Sequence, residues 1–301
     1  MDLTSLAVAA GLMGWTPPHV ATPRFIVLPG LGAAAPVVVA SPSGAAIAWD
    51  GMVDGLLAAR VIAVGEKHDE ASHHRVQADV LAAVADRDPD LVVGLEMVSQ
   101  NQQGTLDDFL SGKTSETDFA AFWNKAWGFD YAMYKPVFDA ARARRLRVVG
   151  LNAPLAVVIS VAKKGLSGLT PAERAQLPAS ISESADARYR AYVKDSLAGH
   201  KLPPDAEARM TQAQAVWNET MGAKVAELAA SGARVFVIAG QGHVLWRAGV
   251  LESAARRGAG PAAVVLPYPL DGQPLPLPDA LARLRDPANP ELPMADDFIL
   301  Q

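Results

Sequence analysis

Four short runs rich in β-branched residues decide the class of fold: Val61–Val64, Leu91–Gly94, Arg147–Gly150 and Val235–Ala239. None of them alternates apolar with polar residues, the pattern of a strand with one wet face, so each is expected to be covered on both faces. Segments with helical spacing lie between them, such as Val76, Val80 and Val84 within Arg75–Ala85, and Pro136–Arg145. Strands that alternate with helices in this way predict an α/β fold, a parallel β-sheet flanked by helices.

Two segments between the runs lack strand character. Residues 99–135 are rich in aromatics, with Phe119, Phe122, Trp123, Trp127, Phe129, Tyr131 and Tyr134, and residues 155–232 read as helical. Thr170-Pro171-Ala172-Glu173 is a helix start: a capping threonine, proline at the first position and a glutamate that reaches back. Gly199 and Gly232 are plausible helix ends. The expectation is an α/β domain over 51–266 with an inserted all-helical cap drawn from 99–135 and 155–232. Residues 1–50 read as an irregular N-terminal arm with a short strand near Pro36–Ala40. Residues 267–301 hold eight prolines; they read as a surface tail whose Phe298-Ile299-Leu300 docks as a last edge strand.

Composition removes several classes of function. The chain has no cysteine, which excludes disulfides, zinc–thiolate and iron–sulfur sites, a thiol nucleophile and a lipobox anchor on this chain. The formal net charge of −5 and a 6% share of aromatics argue against nucleic acid as a partner. No apolar run is long enough for a transmembrane span. Leu6–Trp15 is short and apolar but lacks a preceding Lys or Arg, so it fits either a trimmed export signal or a packed arm.

In a parallel α/β sheet, ligands bind beyond the carboxyl ends of the strands. That rule selects Gly65-Glu66-Lys67-His68-Asp69 after the first run, Glu96 after the second, Asn152 after the third and Gly240-Gln241-Gly242-His243 after the fourth. Two carboxylates, two imidazoles and amides on one rim are the material of metal or acid–base sites. Each residue also has a plainer reading. Glu96 and Asn152 read individually as holders of loop amides, His73 and His74 as half solvated and half packed on their helix, and His19 and His200 as surface residues. The case rests on four separate strand ends delivering polar ligand groups together. The chain has no Gly-x-Ser-x-Gly elbow, no His-Glu-x-x-His and no phosphate-loop lysine motif, and Gly30-Leu31-Gly32 lacks the third glycine of a dinucleotide fingerprint.

The ordered motifs resemble the ChaN-like haem-binding uptake family of the Tiki superfamily. They are Val64-Gly65-Glu66-Lys67-His68-Asp69 with His73-His74, Gly94-Leu95-Glu96-Met97, Trp127 with Tyr134-Lys135-Pro136, Gly150-Leu151-Asn152-Ala153-Pro154, and Ala239-Gly240-Gln241-Gly242-His243. Trp217-Asn218-Glu219-Thr220-Met221 looks like the family's inserted-helix motif, with Asn218 where an aspartate is usual. The resemblance implies a capped sheet domain in bacterial iron uptake, placed in the periplasm or cell envelope, with haem as ligand and a homodimer as partner state. The family's tyrosine ligand near the N-terminus is not carried over, because no tyrosine precedes Tyr131. The lipid anchor is not carried over either.

Two functions follow. The first is a haem-binding protein of bacterial iron or haem uptake, with His68, His243 or Tyr134 as iron ligand and Glu66, Glu96 and Asn152 in the same site. The alternative is a metal-dependent hydrolase with a divalent metal, in which Glu66, His68, Glu96 and His243 do the chemistry and Glu66 is the general base.

Overall fold

The computed structural model describes residues 37–198 and 204–300, apart from 42 and 272. A hairpin of β1 (Val37–Ala40) and β2 (Ala45–Ile47) leads into α1 (Trp49–Leu57) and β3 (Val61–Glu66). Then come α2 (Ala71–Ala85), β4 (Val92–Ser99), α3 (Gln103–Leu110), α4 (Glu116–Ala126), α5 (Tyr131–Ala143) and β5 (Arg147–Asn152). After these stand α6 (Leu155–Lys164), the single turn α7 (Pro171–Arg174), α8 (Ala187–Ala198) and the long α9 (Pro204–Ala230). The chain closes with β6 (Val235–Gly240), α10 (Val250–Arg256), β7 (Ala262–Tyr268), α11 (Leu277–Arg285) and β8 (Asp297–Leu300). The α/β expectation holds, and residues 155–230 contain no strand among those described.

One eight-stranded sheet runs in the order β2-β1-β8-β7-β3-β6-β4-β5. From β8 to β5 every pairing is parallel, whereas β1 pairs antiparallel with both β2 and β8. The sheet is therefore mixed rather than wholly parallel. The tight turn in which Gly44 N–H donates to the Ala40 carbonyl at 2.9 Å leaves β1 and β2 no parallel option. The Phe298-Ile299-Leu300 segment is a strand but not an edge: β8 lies between β7 and β1. The sequence reading named four strand runs and did not single out β7. The calls at Leu6–Trp15, His19, Gly30–Gly32, Gly199 and His200 lie outside the described residues.

Apolar runs without alternation still alternate in space, because successive side chains of a strand point to opposite faces. Val61, Ala63, Val235, Val237 and Val264 join one core, which α6, α9, α10 and α11 cover. Ile62, Val64, Phe236, Ile238 and Val265 join the other, covered by α1 to α5. The aromatics of 99–135 pack mainly here: the Phe109 and Phe119 rings stack at 3.9 Å, and Trp123 and Phe138 cross edge to face at 5.3 Å. The start of α7 matches the expected capping box. Glu173 N–H donates to Thr170 Oγ1 at 3.2 Å and Thr170 N–H donates to Glu173 Oε2 at 2.7 Å.

This topology creates one natural crevice. Neighbouring strands β3 and β6 continue into helices on opposite faces, α2 and α10. Where adjacent parallel strands diverge in this way, their carboxyl ends leave a gap that helices do not fill. Over that gap lies α8, whose Tyr189 and Val193 form a small cluster with Ala248.

Candidate functional site

Glu66 is the last residue of β3 and is 1% exposed. Two hydrogen bonds and an ion pair surround it: His68 Nδ1 at 2.6 Å and the Tyr134 hydroxyl at 2.7 Å reach Oε1, and His74 Nδ1 lies 2.9 Å from Oε2 as its counter-ion. Burial pushes its carboxyl upward, but the His74 charge and the His68 and His74 contacts outweigh burial and hold it well below the carboxylate range. His74, read from sequence as half solvated, is fully buried. Gln77 donates from Nε2 to the Val64 carbonyl at 3.1 Å, which turns its Oε1 toward His74 Nδ1, also at 3.1 Å. The other ring nitrogen of His74 faces the His68 carbonyl at 3.2 Å. With acceptors on both sides the ring needs both hydrogens, and His74 is an imidazolium paired with Glu66. Burial opposes that charge, while Glu66, Gln77 and the His68 carbonyl raise its pKa above the ordinary value.

His73 is also buried and plays a different part. Its Nδ1 accepts the Lys67 N–H at 2.9 Å, and burial lowers its pKa to about 4, so it stays neutral and ties the loop after β3.

The second carboxylate, Glu96, sits in β4, the strand beside β6. Oε2 accepts the Gly240 N–H at 2.6 Å, and Oε1 lies 3.2 Å from His243 Nε2. Burial again works upward, but the charge and hydrogen bond of His243, the charge of His68 and the Gly240 N–H keep Glu96 ionised below its ordinary value. His243 Nδ1 is 2.7 Å from Asn218 Oδ1 on α9. Asn152 keeps to its plainer role: Nδ2 donates to the Glu96 carbonyl at 3.0 Å and Oδ1 accepts the Ala153 N–H at 2.8 Å. It thereby pins the ends of β4 and β5 together.

A cavity of about 210 Å³ brings these groups together. Glu66, His68, Glu96, Asn152 and His243 all line it. Tyr134 does not; its hydroxyl donates to Glu66 and accepts the Trp127 Nε1–H at 3.1 Å, so it props the site from below. The wall also holds Lys67, Lys125, Trp127 and Leu155, and Leu155 is 40% exposed. The His68 ring meets Trp127 edge to face at 4.9 Å and Phe129 at 5.3 Å. Burial works against a charge on His68, but Glu66 and Glu96 raise its pKa. Its Nε2 has no hydrogen-bond partner among the described residues, and no cluster of three or more His, Asp or Glu arranged to hold a metal ion occurs among them. Sequence reasoning does not make His74, Gln214 or Tyr189 residues of this site: His74 stands within a family motif, Gln214 opens the inserted-helix motif, and Tyr189 is not singled out. The i, i+3, i+4, i+7 row of His74, Gln77, Ala78 and Leu81 would have marked His74 as core-facing.

A family model for haem-binding uptake proteins of the Tiki superfamily, ChaN, matches residues 52–253. The chain belongs to this family. No curated protein matches the sequence. Among solved structures it is similar to ChaN of Campylobacter jejuni, described for cofacial haem binding. The TM-score is 0.63 and the identity 18%, over 88% of this chain and 96% of that one. It is also similar to a mutant of erythromycin esterase EreC in its open conformation, with TM-score 0.50 and 12% identity over 87% and 97% of the two chains. At these identities both likenesses speak to the fold. The ChaN-like match spans β3 to β6 and so takes in every residue of the cavity rim named above.

Proposed function

We propose that this protein binds haem at the carboxyl edge of its sheet, with His68 as iron ligand, and serves bacterial haem or iron uptake in the periplasm or cell envelope. One observation carries the choice of residue. Glu66 fixes His68 Nδ1, while Nε2 is left without a partner on the cavity wall. A metal-bound histidine usually has its far nitrogen oriented by a carboxylate in this way. Haem, when bound, supplies an iron that accepts a histidine as proximal ligand. The His74 charge and the Tyr134 hydroxyl hold Glu66 ionised and in place from the far side and keep it an acceptor for His68. His243 has both nitrogens engaged and Tyr134 is off the wall, so neither competes with His68. Lys67 and Lys125 provide cations for the propionates. The cavity is smaller than the ~300–1,000 Å³ of pockets that enclose a drug-sized ligand. Most of a macrocycle therefore stays outside it, which favours a second copy of the chain as cover.

Hemin titration of the full chain tests the reading. A Soret band should appear with saturable stoichiometry, shift in His68→Ala and persist in His243→Ala. An unchanged band in His68→Ala removes His68 as ligand, and the lack of any band removes haem. The hydrolase reading is favoured by a separate observation: two carboxylate–imidazole pairs, Glu66–His68 and Glu96–His243, line one cavity with room for water. Protein that ignores hemin but purifies with stoichiometric zinc or manganese belongs to that reading.

A further inference from the structure

A closed circuit of hydrogen bonds begins and ends on the turn that follows β6, and backbone groups fix its direction at both ends. At one end stands the Gly242 carbonyl, which only accepts. The Tyr189 hydroxyl lies 2.7 Å from it and spends its single hydrogen there. The Tyr189 oxygen must then accept from Asn218, whose Nδ2 is 2.9 Å away. That turns Asn218 Oδ1 toward His243 Nδ1 at 2.7 Å, and a contact so short between an oxygen and a ring nitrogen needs a hydrogen on the nitrogen. Gln214 Nε2 stands 3.3 Å from both Tyr189 Oη and His243 Nδ1, a longer contact that leaves the 2.7 Å bond to decide the ring. At the other end is the Gly240 N–H, which only donates and points at Glu96 Oε2. The two ends meet where His243 Nε2 faces Glu96 Oε1 at 3.2 Å.

The backbone leaves room for this circuit and for little else. Gly249 has φ of 55°, and a Cβ there would stand 3.0 Å from Tyr189 Oη, 3.1 Å from Asn218 Oδ1 and 2.5 Å from the His243 carbonyl. Tyr189 is buried, and its own ionisation is remote: burial raises its pKa to about 12 despite the Gln214 and Asn218 donors. It therefore acts as a neutral link with a fixed hydrogen.

We propose that Tyr189 and Asn218 are positioning residues that hold His243 with its hydrogen on Nδ1, so that the Nε2 to Glu96 contact at the cavity wall carries one further hydrogen. The circuit makes Glu96–His243 the hydrogen-supplying pair of the site, hydrogen-bonded separately from the Glu66–His68 pair. A carboxylate at 218 would still accept from His243 Nδ1 but could not donate to the Tyr189 oxygen, so the ring would keep its hydrogen and lose its link to the Gly242 turn.

The inference concerns the protein without ligand, so its fate is independent of hemin binding. The test is a long-range proton–nitrogen correlation spectrum of the full chain, labelled with nitrogen-15 in histidine, at pH 7. Wild type should show His243 Nδ1 with the shift of a hydrogen-bearing nitrogen and a single ring state. Tyr189→Phe should replace that state with exchange-averaged tautomers, and Asn218→Leu should move the Nδ1 shift toward the unprotonated type. Asn218→Asp should rescue the Nδ1 signature, because it restores the acceptor. The His68, His73 and His74 signals should stay in place in all three, which separates positioning from general damage. A wild-type His243 Nδ1 without hydrogen overturns the proposal by itself, even if no variant folds. So does an unchanged His243 signal in a folded Asn218→Leu.

Discussion

Replacing His74 by phenylalanine keeps a flat ring beside Tyr134, whose centroid is 3.9 Å away, and removes only the charge and its hydrogen bonds. Both partners of the His74–Glu66 pair have side chains with no exposed surface. Two unit charges about 4 Å apart attract by ~4 kcal/mol at an effective dielectric near 20. Removing one member of such a pair costs ~3–5 kcal/mol, because the other charge stays buried without compensation. For a chain of this size, with a urea m-value near the top of the ~1–3 kcal/mol/M range, the unfolding midpoint falls by about 1–1.7 M. The sign with pH follows from the shifts. Glu66 has a lowered pKa, so its share of stability is present above the ordinary carboxylate value of 4.5 and is lost in acid. His74 has a raised pKa, so its share is full below the ordinary imidazole value of 6.5 and is lost as pH climbs past the raised value. The gap between wild type and His74→Phe should thus be widest between pH 4.5 and 6.5. Urea melts at several pH values measure it. In a double-mutant cycle with Glu66→Gln, the two costs should fall short of additivity by about 0.5–3 kcal/mol. A cost below ~1 kcal/mol for His74→Phe, or strict additivity, would refute the reasoning about a buried counter-ion.

Two further outcomes are expected. A Cβ at Gly240 would stand 2.7 Å from His68 Cε1 and 3.0 Å from its Nε2, so Gly240→Ala should push the imidazole aside and lower hemin affinity about tenfold while the fold persists; equal affinity by titration would show that the ring has room to give. Asp297 is held up to about 6 by burial alone, so the fold loses stability as pH rises from the ordinary value of 3.8 to about 6 and stays weakened above it. Asp297→Asn should then raise Tm more at pH 7.5 than at pH 4.5, and an equal rise at both would argue against a half-buried charge that weakens the fold.

The strand ends were readable because the fold repeats one local event. A β-branched run ends, and the polar residue that closes or follows it lands on the carboxyl edge; Glu66, Asn152 and His243 follow this rule, whereas Glu96 lines the same cavity from inside β4, which continues to Ser99 through a register shift after Leu95. What stayed hidden depended on distant packing. His74 lies next to His73 in sequence, yet it faces Glu66 while His73 caps a loop amide, a division set by 100° of helical rotation. Tyr189 reads as one aromatic in a polar helix until α8 is laid over the Gly242 turn. The place of β8 was hidden for a related reason: four residues with no local partner reveal nothing of the two strands they join.

That last strand has a bearing on how the chain is made. Among the described residues the hairpin of β1 and β2 is attached to the rest of the sheet only through β8, so its open flank has no mate there until residues 297–300 have been synthesised. During translation the parallel strands β3 to β6 can assemble behind it while this early ribbon stays unzipped, a bare strand edge of the kind that invites intermolecular pairing. The final clasp then closes a loop of most of the chain, the sort of long-range contact that comes late and slowly. The first described strand of this protein is thus among the last to be secured.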